Sequence, residues 1–156
     1  MIERAVEIRK ALIVRLESCI CAVPLTYVIE TMRPLPVESI SGVPSFVRGI
    51  SIIRGIPTPV VDLAAVLGSP SEHTERFVTL RVGDKQVALS VNAVLGVRDL
   101  GTVATIRELP PLLQRASKDV IETIGTLDEQ VLIVLREGWE LPDEAWQTLT
   151  AQEAVS

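Results

Sequence analysis

The chain has 156 residues, of which 47% are hydrophobic and 22% charged, enough for one domain or for two small subdomains that share a core. Its formal net charge is −5 and only 3% of its residues are aromatic, so it lacks the basic surface and stacking side chains that nucleic-acid binding needs. No apolar run approaches the roughly 18 residues of a membrane span, and no signal-peptide pattern opens the chain, which predicts a cytoplasmic protein without direct membrane insertion.

Short strands and turns are predicted for the first part of the chain. Residues 1–10 are charged and mixed, and they predict a tail or a frayed helical turn. The apolar runs 11–16 and 19–23 are separated by two polar residues and predict a hairpin. Proline opens residues 24–27, which predicts a short helical turn, and the run 28–32 predicts a further strand.

Residues 46–63 carry the densest pattern in the sequence. Apolar runs flank Arg54-Gly55, which predicts two strands joined by a tight turn, because glycine adopts positive φ at no steric cost. Pro57 and Pro59 lack backbone N–H groups and lie two residues apart, so they predict an edge strand or a bulge. An arginine at such a turn is a candidate functional residue.

Asp62 suits the N-cap of a short helix over 63–67, and Gly68 suits its C-terminal end. A polar loop follows. Further on, strands are predicted over 76–82, 85–90, 95–100, 120–127 and 130–135, with an irregular connection over 102–119. Acidic residues open a terminal helix over 141–149, whose apolar face, including Trp146, should dock on the protein body.

The sequence contains an internal repeat. A shift of about 66 residues superimposes Arg15 on Arg81, Ala22 on Ala88 and Val28 on Val94. More weakly, residues 49–63 resemble residues 125–135. Short strands at regular spacing in a duplicated unit predict two small barrels, and because each is too small for a generous core, the two should share an apolar interface.

Residues that could carry chemistry are few. Cys19 and Cys21 are the only cysteines and are interpreted as reduced core residues, since neighbours of this spacing rarely form a disulfide. The only histidine, His73, lies in the polar loop, so neither a metal site nor a nucleophile–histidine pair is indicated. We therefore expect no cofactor and no enzymatic activity, and interpret the chain as an interaction module.

The stretch around Arg54 resembles the CheW family of chemotaxis coupling proteins. The family pattern is matched in register by Pro44, Phe46, Val47, Arg48, Gly49, Ile50, Ile53, Arg54, Gly55, Pro59, Val60, Val61, Asp62 and Leu63. Weaker matches lie at 28–30 and 87–95. The sequence departs from the family at Ile52-Ile53, where Asn-Leu is frequent, and at Asn92, where an aspartate is frequent.

The resemblance implies an all-β fold of two intertwined five-stranded SH3-like β-barrels with a C-terminal helix. It implies a single domain over residues 11–150, with tails at 1–10 and 151–156. It also implies a non-enzymatic adaptor that couples the cytoplasmic tips of chemoreceptors to the regulatory domain of the histidine kinase CheA. Alternative interpretations are a scaffold of a non-flagellar chemosensory pathway and a ligand-binding sensor with a pocket between the barrels.

The resemblance also nominates residues that bind the receptor or the kinase. Arg54 is either a receptor contact or a turn residue whose guanidinium bonds loop carbonyls. Val28 and Glu30 either form part of a receptor-binding groove or are, respectively, a core residue and a solvated rim residue.

Three further positions complete the predicted partner-binding set. Gly49 and Gly55 are interpreted first as backbone requirements and second as contacts. Val87 either lines the kinase-facing surface or belongs to the core, and the core interpretation is preferred. Phe46 and Trp146 are predicted core anchors.

Overall fold

The computed structural model of the chain describes residues 6–8, 10–68, 75–103 and 121–136. Within these residues the chain is almost entirely β. The strands, in chain order, are β1 (Val6–Ile8), β2 (Ala11–Arg15), β3 (Ile20–Pro24), β4 (Val28–Met32), β5 (Val47–Ile53), β6 (Ile56–Asp62), β7 (Arg76–Val82), β8 (Lys85–Val91), β9 (Ala93–Arg98), β10 (Gly101–Val103), β11 (Ile121–Leu127) and β12 (Gln130–Leu135). A 3-10 turn spans Leu25–Tyr27, and the helix α1 spans Leu63–Val66. None of the helices in the described part of the chain is long and apolar enough to cross a membrane.

The locally determined elements agree with the predictions. The hairpins β2–β3, β5–β6, β7–β8 and β11–β12 form where the alternating runs predict them. The Asp62 carboxylate accepts a hydrogen bond from the Ala65 N–H at 3.3 Å, which confirms the predicted N-cap of α1. Arg48 donates to the same carboxylate at 3.3 Å. Gly68 follows the helix with φ 91°, as a C-terminal cap requires.

The strands form two five-stranded sheets, each curled into a small barrel. We call the sheet with the order β11-β12-β3-β2-β9 the first barrel, and the sheet with the order β4-β7-β8-β6-β5 the second barrel. Each barrel combines one hairpin from one half of the chain with three strands from the other half. The prediction of two intertwined barrels is thereby confirmed.

The internal repeat is preserved in the strand register. Ile13 pairs with Ala22 in the first barrel, and Thr79 pairs with Ala88 in the second, an offset of 66 residues on both strands. The register shift in β4 falls at Ile29, at the position that corresponds to the shift in β9. The two barrels are therefore related by an approximate twofold symmetry that the sequence repeat predicts.

The offset differs for the later hairpins. Ile53 pairs with Ile56 across the β5–β6 turn, and Leu127 pairs with Gln130 across the β11–β12 turn, an offset of 74 residues. The weak sequence match that places Gly49 opposite residue 125 is therefore out of register by two residues. The offset changes because the segments that lead to β5 and β11 differ in length.

The prolines of β6 do not mark an edge strand. β6 lies between β5 and β8, so the prediction of an edge strand is wrong. Pairing with β8 begins only at Val60, however, and Pro57 and Pro59 pair with β5 alone. The missing N–H groups thus lie in the part of β6 that has a neighbour on one side only.

A second difference concerns the start of the chain. Residues 6–8, predicted as a tail or a frayed helical turn, form β1 and pair with β10. This contact joins residues almost one hundred positions apart, so no local pattern announces it. The predicted terminal helix over 141–149, His73, Trp146 and most of the irregular connection lie outside the described residues.

The main hydrophobic core lies between the barrels. The largest cluster of buried side chains includes Val14 from the first barrel and Leu89 from the second, which confirms the predicted shared apolar interface. Two smaller clusters occupy the barrel interiors, around Ile13 and around Phe77. Phe46 is half-buried and packs against the shared core, as predicted.

Candidate functional site

The β5–β6 hairpin presents Arg54 at its tip. Arg54 has φ 50° and Gly55 has φ 78°, so both central residues of the two-residue turn adopt left-handed conformations. This is the turn geometry that matches the right-handed twist of paired strands, and its first position favours Asn, Asp or Gly. An arginine there carries a steric penalty that these residues largely avoid. Its side chain is therefore the feature to explain.

The Arg54 guanidinium forms a bidentate ion pair with Glu30. Its Nε donates to Glu30 Oε2 at 2.6 Å, and its Nη2 donates to Glu30 Oε1 at 2.8 Å. Glu30 lies on β4 and Arg54 on the tip of β5, and these strands form opposite edges of the second barrel. The ion pair therefore bridges the two edges of the sheet, while Arg54 remains 74% exposed.

The same ion pair shifts both pKa values. The hydrogen bond from Arg54 lowers the pKa of the Glu30 carboxyl, and the hydrogen bond to Glu30 raises the pKa of Arg54. The carboxylate consequently stays ionised at lower pH than an ordinary glutamate. The stabilisation from this pair is present above the unfolded-state pKa and is lost as the pH falls through the lowered folded-state value.

We expect an NMR titration of the Glu30 side chain to show a midpoint below that of an unperturbed glutamate. In the Arg54→Asn variant the midpoint should return toward the ordinary value, because the charge-assisted hydrogen bonds are gone. Equal midpoints in the two proteins would show that the ion pair does not persist in solution.

A buried hydroxyl group positions the backbone of Glu30. Thr79 Oγ1 accepts a hydrogen bond from the Glu30 N–H at 3.2 Å and lies 3.3 Å from the Glu30 carbonyl oxygen, to which it can donate. These contacts span the register shift at Ile29, where the regular strand pairing is interrupted. Thr79 is fully buried, and Ile13 occupies the corresponding place in the first barrel. The second barrel thus spends a buried polar residue on holding Glu30.

Replacing Thr79 with valine is expected to lower the free energy of unfolding by about 1–3 kcal/mol, because the Glu30 backbone groups lose their buried partner. Chemical denaturation measures this change. Ile13→Val is the matched control, since it also shortens a buried side chain at the repeat-equivalent position and should cost about 1 kcal/mol without disturbing Glu30. If Thr79→Val also leaves the Glu30 titration unchanged, the positioning role is wrong.

Exposed aliphatic side chains surround the ion pair. Ile29, beside Glu30, is 42% exposed, and Ile52 and Ile56, two residues to either side of Arg54, are 59% and 49% exposed. Residues 29, 30, 52, 54 and 56 together are called the Arg54 surface below. The sequence interpretation missed the three isoleucines. The outward alternation of Ile52 between Ser51 and Ile53 was a signal for one of them.

The structure divides the remaining predicted site residues. Val28 is half-buried and packs against the shared core, close to the Arg54 surface through Glu30. Gly55 is exposed at the turn. Gly49 is buried, and its backbone lies against Glu38, whose N–H and C=O pair with Ile50 at 2.8 and 2.9 Å.

Val87 does not belong to the surface. Its side chain is fully buried in the shared core, because β8 is paired on both sides and covered by the first barrel. The surface interpretation of Val87 is therefore corrected to the core interpretation.

The first barrel carries a counterpart of the Arg54 surface with the charge reversed. Asp128 and Glu129 occupy the turn positions of Arg54 and Gly55, with φ 51° and 65°. Asp128 Oδ2 pairs with Arg98 Nη1 at 3.2 Å, and Arg98 lies on the opposite edge strand β9. Leu95 and Val97 on β9 are 45% and 52% exposed. The two barrel tips thus share geometry and differ in chemistry.

Among the described residues, no group of three or more His, Cys, Asp or Glu side chains could hold a metal ion. A narrow cleft between the barrels is lined by Val23, Pro24, Tyr27, Leu80, Val82, Leu135 and Arg136. It has room for about 20 Å³, which corresponds to about one water molecule. The described part of this cleft is therefore far smaller than an ordinary small-molecule site.

Comparisons with known proteins agree with this architecture. The chain is similar to the chemotaxis protein CheW of Klebsiella aerogenes, with 28% identity over 102 residues, 64% of this chain. The match spans only 61% of that relative's length. The crystal structure of the scaffolding protein TtCheW from Thermoanaerobacter tengcongensis has the same fold, with a TM-score of 0.67 and 21% identity, covering 85% of this chain and 97% of that one.

A family model described as the CheW-like domain matches residues 10–137. That span includes both barrels, the Arg54 surface and its charge-reversed counterpart. The chain therefore belongs to the CheW-like domain family.

Proposed function

We propose that the protein is a non-enzymatic adaptor that couples the cytoplasmic tips of chemoreceptors to the regulatory domain of the histidine kinase CheA. The proposed location is the cytoplasm, at the membrane receptor arrays, because both partner regions lie there. The functional unit proposed is one domain over residues 11–150, with short tails at either end. The proposal requires no cofactor, metal or nucleic acid.

The observation that carries the proposal is the composition of the Arg54 surface. A charged pair with a largely exposed guanidinium lies among three exposed isoleucines. Protein interfaces are enriched in arginine and in apolar anchors surrounded by polar contacts. We assign the receptor contact to this surface, with Arg54 and Glu30 as its charged centre and Val28 as a supporting residue.

An adaptor must engage two partners, and the two barrels supply two surfaces of opposite character. The second-barrel turn contains Arg54, whereas the equivalent first-barrel turn contains Asp128 and Glu129. Surfaces with similar shape and different charge favour different partners, because like charges brought together at an interface are unfavourable. We assign the kinase contact to the first barrel, around the Arg98–Asp128 pair.

The alternatives have less support. A scaffold of a non-flagellar chemosensory pathway would use the same surfaces and differs only in the identity of the receptor and kinase. A ligand-binding sensor would need a chamber between the barrels, and the described cleft there accommodates about one water.

The test is reconstitution with purified cognate partners. The full chain should bind the isolated kinase regulatory domain and the receptor tip separately at micromolar concentrations, and should bring both into one complex. Binding is measured by calorimetry and complex formation by size-exclusion chromatography. Failure to bind the regulatory domain, or mutually exclusive binding of the two partners, would contradict the proposal.

A further inference from the structure

Cys19 and Cys21 form a pair of contacting thiols at the β2–β3 hairpin. The two residues are separated by one position, and their side chains are hydrogen-bonded to each other. Both cysteines are free, with Cys21 buried and Cys19 partly exposed. The pair therefore combines one thiol that solution reagents can reach with one that they cannot.

The surroundings of Cys19 favour its thiolate form. Its sulfur interacts with the side chains of Cys21 and Ser18. The Cys21 hydrogen bond lowers the pKa of Cys19 most strongly, burial opposes this effect, and the Ser18 hydrogen bond adds to it. The pKa of Cys21 is raised by the same thiol contact and by burial. A partly exposed thiolate beside a second, protonated thiol is the arrangement found at oxidation-sensitive cysteines.

The hairpin fixes the relative position of the two thiols. The Leu16 N–H donates to the Cys19 carbonyl oxygen at 2.9 Å and closes the turn. Cys21 lies in β3, which is paired with β2 at Val14 and with β12 at Ile133. Both cysteine side chains pack against the shared core. The contact is thus held by backbone pairing on both sides of β3.

We propose that Cys19 is a site of reversible oxidation by hydroperoxides, with Cys21 as the resolving thiol. The Cys19 sulfur attacks the peroxide, which forms a sulfenic acid and releases one water when hydrogen peroxide is the oxidant. The Cys21 sulfur then attacks the Cys19 sulfur, the S–S bond forms, and the sulfenic oxygen leaves as a second water. Two thiols are oxidised by two electrons while one peroxide is reduced. This inference is independent of the proposed adaptor function.

The resulting disulfide should be readily reduced. Residues two apart in an extended chain have Cα atoms roughly 6.6–7 Å apart, at the upper limit of disulfide geometry. A bond formed under such strain is more easily opened by thiols than a structural disulfide. Glutathione should therefore restore the dithiol state.

The experiment treats the reduced full chain with equimolar hydrogen peroxide, quenches with catalase, blocks free thiols with N-ethylmaleimide and measures the intact mass. We expect a monomer that has lost two hydrogen atoms and takes up no label, and that regains both labels after incubation with glutathione. Disulfide-linked dimers as the main product, or two labelled thiols after treatment, would overturn the proposal.

Two variants assign the roles. In Cys21→Val, sulfenic acid should accumulate at Cys19 and be trapped by dimedone. Valine should be accommodated there, because Val87 occupies the repeat-equivalent position. In Cys19→Ser, oxidation of the buried Cys21 should be at least about tenfold slower than oxidation of the wild-type pair. If Cys19→Ser is oxidised as fast as the wild type, Cys19 is not the reactive thiol and the proposal is wrong.

Discussion

Substituting alanine for Gly49 is expected to destabilise the fold by about 4 kcal/mol or more, the largest effect of any single methyl group considered in this chain. A Cβ atom at this position would overlap the carbonyl oxygen of Glu38 and lie 3.1 Å from the Ser39 Cα. Gly49 also has φ 147°, which side-chain-bearing residues rarely adopt. Relief would require the backbone to separate, with loss of both hydrogen bonds between Glu38 and Ile50.

Chemical denaturation of Gly49→Ala measures this loss, and Gly55→Ala is the matched control. Gly55 also has positive φ, at 78°, but nothing lies within 4 Å of the added carbon. It should cost only about 1–2 kcal/mol, the conformational penalty alone. If the two variants lose equal stability, then strain and not the contact with Glu38 explains why residue 49 is glycine.

The second large effect is expected on binding. Arg54→Asn should weaken binding of the receptor tip by at least about tenfold while the melting temperature stays within about 3 °C of the wild type. Asparagine suits the left-handed turn position better than arginine, so the turn is preserved. The lost ion pair is exposed and screened by solvent, so its removal should change stability little. Calorimetric titration and thermal unfolding measure the two quantities.

Asp128→Asn provides the matched control in the first barrel. Asp128 occupies the equivalent turn position and is also ion-paired across its barrel, to Arg98. This variant should leave receptor binding unchanged, because it alters the other barrel tip. A large fall in melting temperature for Arg54→Asn would support the turn-stabilising interpretation of Arg54. Equal loss of receptor binding in both variants would contradict the assignment of the receptor to the Arg54 surface.

Features that depend on neighbouring residues could be predicted from the sequence. The hairpins follow from alternating apolar runs, and the Arg54-Gly55 turn follows from the position of glycine between them. The Asp62 cap follows from a carboxylate placed directly before a short apolar helix. The family motif lies in this same local stretch, which is why it pointed to Arg54.

Features that depend on distant pairing could not be predicted in this way. Glu30 was nominated through the family resemblance, but its pairing with Arg54 joins residues 24 positions apart across the two edges of a closed sheet. The exposure of Ile29 follows from a register shift against β7, which no property of β4 alone announces. Val87 has a pattern compatible with either a surface or a core strand, and packing of the other barrel against β8 decided for the core.

The sequence by itself determined the strands, their turns and the existence of two similar halves, because these rest on contacts within a few residues. Only the tertiary structure decided which strands share a barrel. β3 pairs with β12 and not with β6, although both are parallel partners of equivalent pattern. The repeat makes the two choices locally alike, so the choice rests on long-range packing of the shared core. That exchange of strands places Glu30 beside Arg54, and Arg98 beside Asp128, on two chemically different tips.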